Sequence, residues 1–282
     1  MPAVGVTAWE RLYFGVIALA ALFVGYLGFF EPAEMDADFT WAFLPPLHAR
    51  FVASLYLFGG VYMAGCLFGR FRAQVQPGPI AVVIFTTLLL VITLLNPEAF
   101  DYDLVPPWVW TMSYVIYPIL GIILAWCTRG PAAAPGSPLA RWARTFLLVQ
   151  AAVFAVAGVA LLTAPGVMVD LWPWPITAGL AQFYGGPFIA YAYCSWAYSR
   201  RATWTEVIAI VPGMLAFTVA TVVVPVVHRE LFSASDLSTW VWFVVFGGAA
   251  VALAAMVVSM VTAGRSDRHS STATPAAPAV TR

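Results

Sequence analysis

The chain has 282 residues, 62% of them hydrophobic and only 9% charged, and its thirteen acids are balanced by thirteen arginines with no lysine. Soluble domains carry about a quarter charged residues, so this chain cannot cover a water-facing surface. Its zero net charge leaves no basic footprint for nucleic acid. Cys66, Cys127 and Cys194 fall inside or at the end of apolar runs without CxxC spacing, which argues against a disulfide framework or zinc site and for small buried hydrophobes.

The apolar residues come in long uncharged runs rather than amphipathic stripes. About 20 helical residues cross the hydrocarbon of a bilayer, and lipid satisfies a backbone only in helices or closed barrels. The runs are too long and continuous for barrel strands. In chain order the predicted spans are 12–30, 51–69, 79–95, 108–127, 145–163, 175–198, 207–227 and 238–263. The first follows Arg11 as a signal peptide's apolar region would, but it lacks a small-residue cleavage site and is expected to be retained. Arg11, Arg70, Arg72, Arg129, Arg141, Arg144, Arg200, Arg201, Arg265, Arg268 and Arg282 all fall at the amino end, in every second loop, or in the tail. The positive-inside rule makes that side cytoplasmic, which places both termini inside and the chain in the plasma membrane. The other side holds ten of the thirteen acids, among them Glu31, Glu34, Asp36, Asp38, Glu98, Asp170 and Glu230.

Two outer loops say nearly the same thing. "NPEAFDYDLVPPWVW" at 96–110 and "HRELFSASDLSTWVW" at 228–242 share Glu98/Glu230, Phe100/Phe232 and a Trp-Val-Trp. A shorter match sets 29–35 against 162–168, and a weaker one sets 43–72 against 171–200, pairing Tyr56 with Tyr184 and Cys66 with Cys194. These predict an all-α membrane protein with eight transmembrane helices in two parallel four-helix repeats, since an even number of spans returns each copy to the same side. The expected units are 1–128, a Pro/Ala/Gly cytoplasmic linker at 129–141, a second repeat at 142–264 and a disordered cytoplasmic tail at 265–282. With a proline-led second span and a Trp-rich fourth, the chain resembles a group of uncharacterised bacterial integral membrane proteins. That resemblance covers nearly the whole chain and implies no catalytic residues. The missing lysine, with abundant Ala, Pro and Arg, fits a GC-rich bacterial genome.

Chemistry is expected at the outer mouth. Arg50 stands there against the positive-inside trend, beside an uncharged run, where an arginine must snorkel or find a carboxylate. Glu98, in an outer loop of the same repeat, is the expected partner. Either Arg50 with Glu98 and Glu230 shapes a site for a polar or anionic small molecule, or Arg50 only tethers an acidic loop. His48 and His228 read as interfacial hydrogen-bonding groups rather than metal ligands, being too few for a zinc site; they join Arg50, Glu98 and Glu230 as candidate ligand-binding residues, and no metal or cofactor is expected. Trp108, Trp110, Trp240 and Trp242 suit an interfacial belt; two residues apart on a helix, one of each pair can turn inward. That makes Trp110 and Trp242 candidate lining residues.

Gly65 with Gly69, Gly59–Gly60 and Gly185–Gly186 predict close helix approach, and Pro118, Pro187, Pro212 and Pro225 predict bends within spans. No Walker loop, Ser–His–Asp set or charged span centre is present. Three functions remain: a binding, scaffolding or accessory protein that meets a membrane-protein partner or small polar ligand with its acidic, aromatic outer face; a small-solute transporter; or an enzyme on a lipid-linked substrate. The uncharged midplane favours the first over the second.

Overall fold

A computed structural model describes residues 4–39 and 45–272, with the backbone alone for 36–39 and 265–272. The helices are α1 (Ala8–Phe30), α2 (Pro32–Phe39), α3 (Pro46–Leu67), α4 (Arg72–Val75), α5 (Gly78–Leu95), α6 (Val105–Cys127), α7 (Arg141–Thr163), α8 (Pro165–Leu171), α9 (Ala178–Ser199), α10 (Trp204–Val207), α11 (Val211–Val227) and α12 (Leu237–Thr272), with 3-10 turns at Pro97–Ala99 and Arg229–Leu231. Among the described residues the only strand-like pairings are two isolated bridges, Gly5 with Phe71 and Pro138 with Thr203.

Among the described residues six helices are long and apolar enough to cross a membrane: α1, α3, Arg72–Leu95, α6, α7 and Leu237–Gly264 within α12. The 23 residues of α1 or α7 reach about 34 Å at 1.5 Å per residue, more than the ~30 Å hydrocarbon core. Their outer faces stay apolar, with Leu19, Phe23, Val156, Ile122 and Val251 exposed, as a lipid-facing surface requires. Expected spans six and seven correspond to α9, which is 22 residues long and largely buried in the bundle, and α11, which is apolar but shorter.

Local chemistry sets the ends. Thr7 and Glu10 form a capping box at the start of α1, and prolines open α3, α5, α6, α8 and α11, where a missing N–H costs nothing. Pro212 is one of these openers. Instead of bending a span, it starts α11 after the break that follows α10. Pro118, Pro187 and Pro225 do lie inside helices. Residues 265–272 continue α12 as helix, whereas the tail was expected to begin at 265. Residues 273–282, with Arg282, lie outside the described residues, as do the side chains of Arg265, Arg268, His269, Asp36 and Asp38.

Packing joins α1 to α3, α5 to α6, α7 to α9 and α11 to α12, then crosses the chain's midpoint: α3 packs on α11 and α9 on α5. The α3–α11 crossing is close enough to need glycine on both helices. A Cβ on Gly213 would meet the Phe58 carbonyl oxygen at 2.9 Å and the Tyr62 nitrogen at 3.0 Å, and one on Gly65 would collide with the Ala209 carbonyl. Between α3 and α9 the centre is filled by rings. Phe51 packs on Tyr184 at 4.7 Å, Phe58 on Tyr191 at 4.7 Å, and Tyr62 on Tyr198 at 5.9 Å with a hydroxyl–hydroxyl bond of 3.0 Å.

At one end of the bundle, polar contacts recur 132 or 133 positions apart. Arg11 donates to the Gly69 carbonyl (2.8 Å) and Arg144 to the Arg201 carbonyl (3.1 Å). The Gln74 side chain accepts from the Arg70 amide, and Glu206 accepts from the Ala202 amide. The linker also packs here, with the Ala134 amide on Glu206 and Leu139 on the Ala202 carbonyl. Helices α3 and α9 begin and end 132 positions apart, whereas the sequence match of 43–72 with 171–200 sets them 128 apart. Four residues are close to one helical turn. Counted 132 positions on, Arg50 falls at Gln182, Tyr56 at Phe188 and Cys66 at Tyr198.

Candidate functional site at the Arg50 end of the bundle

Arg50 lies in the second turn of α3, half-buried, between the C-terminal ends of α1 and α11. Its Nε donates to the Phe29 carbonyl at 3.2 Å, and its NH1 lies 2.6 Å from His228 Nε2. Phe29 is in the last turn of α1, whose final carbonyls lack intrahelical donors and carry the negative end of the helix dipole. Two helix C-termini thus surround the guanidinium with partial negative charge. This accounts physically for an arginine on the side of the protein where arginines are otherwise rare.

The contact with His228 fixes a tautomer. A guanidinium only donates, so Nε2 of His228 accepts and its proton sits on Nδ1. Nδ1 lies 3.4 Å from Glu230 Oε1 and can donate to it. The result is a relay Glu230–His228–Arg50 linking the loop after α11 to α3, across the two halves of the chain. Glu230 is exposed; its carboxyl is held below the ordinary range first by its own backbone amide and then by His228 and Arg229. With Nε2 engaged by a permanent cation, His228 is not available as a general base. The relay is suited to binding and positioning. Of the five N–H donors of Arg50, the described residues occupy two.

Glu98 does not join this group. It stands on the 3-10 turn Pro97–Ala99, and no ion pair between it and Arg50 occurs among the described residues. The cause is the crossed packing: α5, which carries the Glu98 turn, lies against α9, while α11 brings the His228–Glu230 turn to Arg50. His48 is buried and lies 3.3 Å from the Tyr184 hydroxyl through Nδ1, a tie between α3 and α9. Among the described residues no three metal-ligating side chains converge.

The tryptophans divide by face. Trp108 and Trp240 are exposed and donate to the carbonyls of Tyr102 and Ala234, each six residues back, at 2.8 and 2.9 Å. Trp110 and Trp242 turn inward. Trp110 packs on Tyr114 and Phe183 and donates to Thr93 Oγ1, and Trp242 packs on Trp174 and Phe246 and donates to the Thr221 carbonyl.

Two lateral crevices, unforeseen from the sequence, open beside these inward rings. One, about 620 Å³, lies between α1, α3, α5 and α6; the other, about 560 Å³, lies between α7, α8, α9 and α12. Helices that are apolar on every side give no periodic signal of a gap between them. The chain matches no family model, no curated protein and no solved structure, so the chemistry of the site rests on these residues.

Proposed function

We propose that the protein is an eight-span plasma-membrane protein built from two parallel four-helix repeats, with both termini in the cytoplasm. We further propose that it works as a binding or accessory protein through its outer face. The repeat is supported by helices of matching length 132 or 133 positions apart, by the paired arginine–carbonyl contacts of Arg11 and Arg144, and by the i−6 indole bonds of Trp108 and Trp240. Its orientation rests on the arginine bias. The likeness to bacterial eight-span proteins belongs with this reading.

One observation carries the choice of binding over transport. The contact between α3 and α9, where a path between the halves would run, is occupied by buried rings from Phe51 down to Tyr198. The Arg50–His228–Glu230 relay lies outside that seam at the outer surface, where a polar or anionic group on a ligand or membrane partner meets the guanidinium. The test is copurification from native membranes of wild type and of Arg50→Gln with His228→Ala. A bound molecule or protein lost from the variants, with the unfolding transition retained, is the expected result. Equal recovery from both, or solute uptake by proteoliposomes of the purified protein, would overturn it.

A further inference from the structure

The crevice between α1, α3, α5 and α6 follows α1 from Ile17 to Leu27, about 15 Å at 1.5 Å per residue. That is about half of the ~30 Å hydrocarbon thickness along α1, and the lining runs from Val105 at the start of α6 to Ala81 and Val82 in the first turn of α5. Exposed Phe23, Val105 and Val109 form its rim, so it opens sideways toward lipid, and Glu34 stands at its outer mouth. A volume of about 620 Å³ is ample for a small lipophilic ligand.

Deep in this apolar slot lies a pair of phenols. The hydroxyls of Tyr56 and Tyr114 are hydrogen-bonded to each other, and both side chains are buried. Two hydroxyls carry two protons and one bond between them uses one. The second proton has no acceptor among the described residues, and in a medium without water an unmade hydrogen bond is costly. Packing does not require these hydroxyls. The corresponding positions of the other crevice are Phe188 and Phe246, which hold the same ring sites without an oxygen. There the counterpart of Ala21 is Phe154, whose ring contacts Phe188 and Phe246 and narrows the space. This comparison rests on the repeat proposed above; the proton count does not.

We propose that the first crevice binds an uncharged, flat, carbonyl-bearing ring carried on an apolar tail, the chemistry of a lipid quinone. A ring carbonyl accepts the spare Tyr56/Tyr114 proton, the faces of Phe85 and Trp110 flank the ring, and the tail leaves between α1 and α6. The Glu34 carboxylate at the mouth disfavours anionic lipids.

The test uses the full chain in nanodiscs, measuring retained decyl-benzoquinone after gel filtration and the accompanying thermal shift. Decylbenzene, which has the same ring and tail without carbonyls, is the competitor. Wild type is expected to bind, with affinity falling at least tenfold in Tyr56→Phe/Tyr114→Phe and binding lost in Ala21→Phe. The double variant is required because either tyrosine alone still has a proton to give. Should Ala21→Phe fail to fold, Ala21→Leu narrows the same wall. Equal binding by wild type and the double phenylalanine variant, or full displacement by decylbenzene, would identify a generic hydrocarbon slot and overturn the assignment. No retention by wild type above the Ala21 variants would also overturn it. None of these outcomes touches the Arg50 relay, so the two proposals fail separately.

Discussion

If Arg50 is held by the far half of the chain, its energetic partner is His228 and not Glu98. Arg50→Leu removes two hydrogen bonds from a cation, to the Phe29 carbonyl and to His228. Such bonds contribute about 1.5–3 kcal/mol each. At a half-buried position water replaces part of that, leaving about 1 kcal/mol per bond and about 2 kcal/mol for the variant. His228→Ala removes one of the two and costs about 1 kcal/mol. Because both substitutions delete the same contact, the double variant should cost about 2 kcal/mol rather than the additive 3, a coupling of about 1 kcal/mol. Reversible unfolding in mixed micelles, followed by tryptophan fluorescence, measures all corners of the cycle. Glu98→Gln serves as the control and should show no coupling to Arg50. Strictly additive losses for Arg50 and His228, or a coupling to Glu98 as large as that to His228, would refute the crossed arrangement.

Gly213→Val places a branched side chain against the Phe58 and Tyr62 backbone, which cannot yield, and should destabilise by about 1–3 kcal/mol or more, whereas Gly247→Val, with open space around it, should be close to neutral in the same assay. Trp110→Ala and Trp242→Ala should each cost about 3–5 kcal/mol as buried aromatic deletions, and Trp108→Ala much less; equal losses would contradict the division by face. Maleimide should label exposed Cys127 in the folded protein and spare buried Cys66 and Cys194; labelling of Cys127 in intact cells by an impermeant reagent would reverse the proposed orientation. Glu230, with its carboxyl held below the ordinary carboxylate range, contributes stability that is present above its unfolded-state value and disappears as pH falls through the lower folded one. Glu230→Gln should therefore flatten only that acid limb of the thermal-stability profile, and a change confined to neutral pH would count against the His228 contact.

What the sequence disclosed follows from what lipid does to pattern. Long uncharged runs reported the helices directly, and the two-residue spacing of Trp108 and Trp110 foretold that one would face out and the other in. The choice of neighbours was not legible. In water an amphipathic stripe points to the core, but here lipid and core are equally apolar, so α5 and α11 carry no sign of which helix they meet. That is why the sequence points to Glu98, in the same half of the chain, as the partner for Arg50, and offers His228 as a candidate residue without a link to Arg50. The short helices α2 and α8 escaped notice because they are too brief to span and begin at prolines that read as loop.

On the proposed tandem repeat, the halves divide their residues by kind. Positions that build the scaffold hold the same chemistry twice: the arginine on a neighbouring carbonyl, the outward indole bonded six residues back, the inward Trp110 and Trp242. Positions at the two candidate sites differ. Arg50 faces His228, while their counterparts are Gln182 and Asn96, and the Asn96 side chain donates to the Ile92 carbonyl of its own helix. Tyr56 and Tyr114 give way to Phe188 and Phe246. On that reading, a residue required for folding alone would be expected at both equivalent positions. The groups written once, a charged relay at the rim and a phenol pair in one crevice, have no such structural duplicate. Exchanging them singly tests this directly: Gln182→Arg with Asn96→His should add a second relay without altering ligand retention in the first crevice, whereas Phe188→Tyr with Phe246→Tyr should leave the second crevice unable to bind until Phe154→Ala reopens its floor.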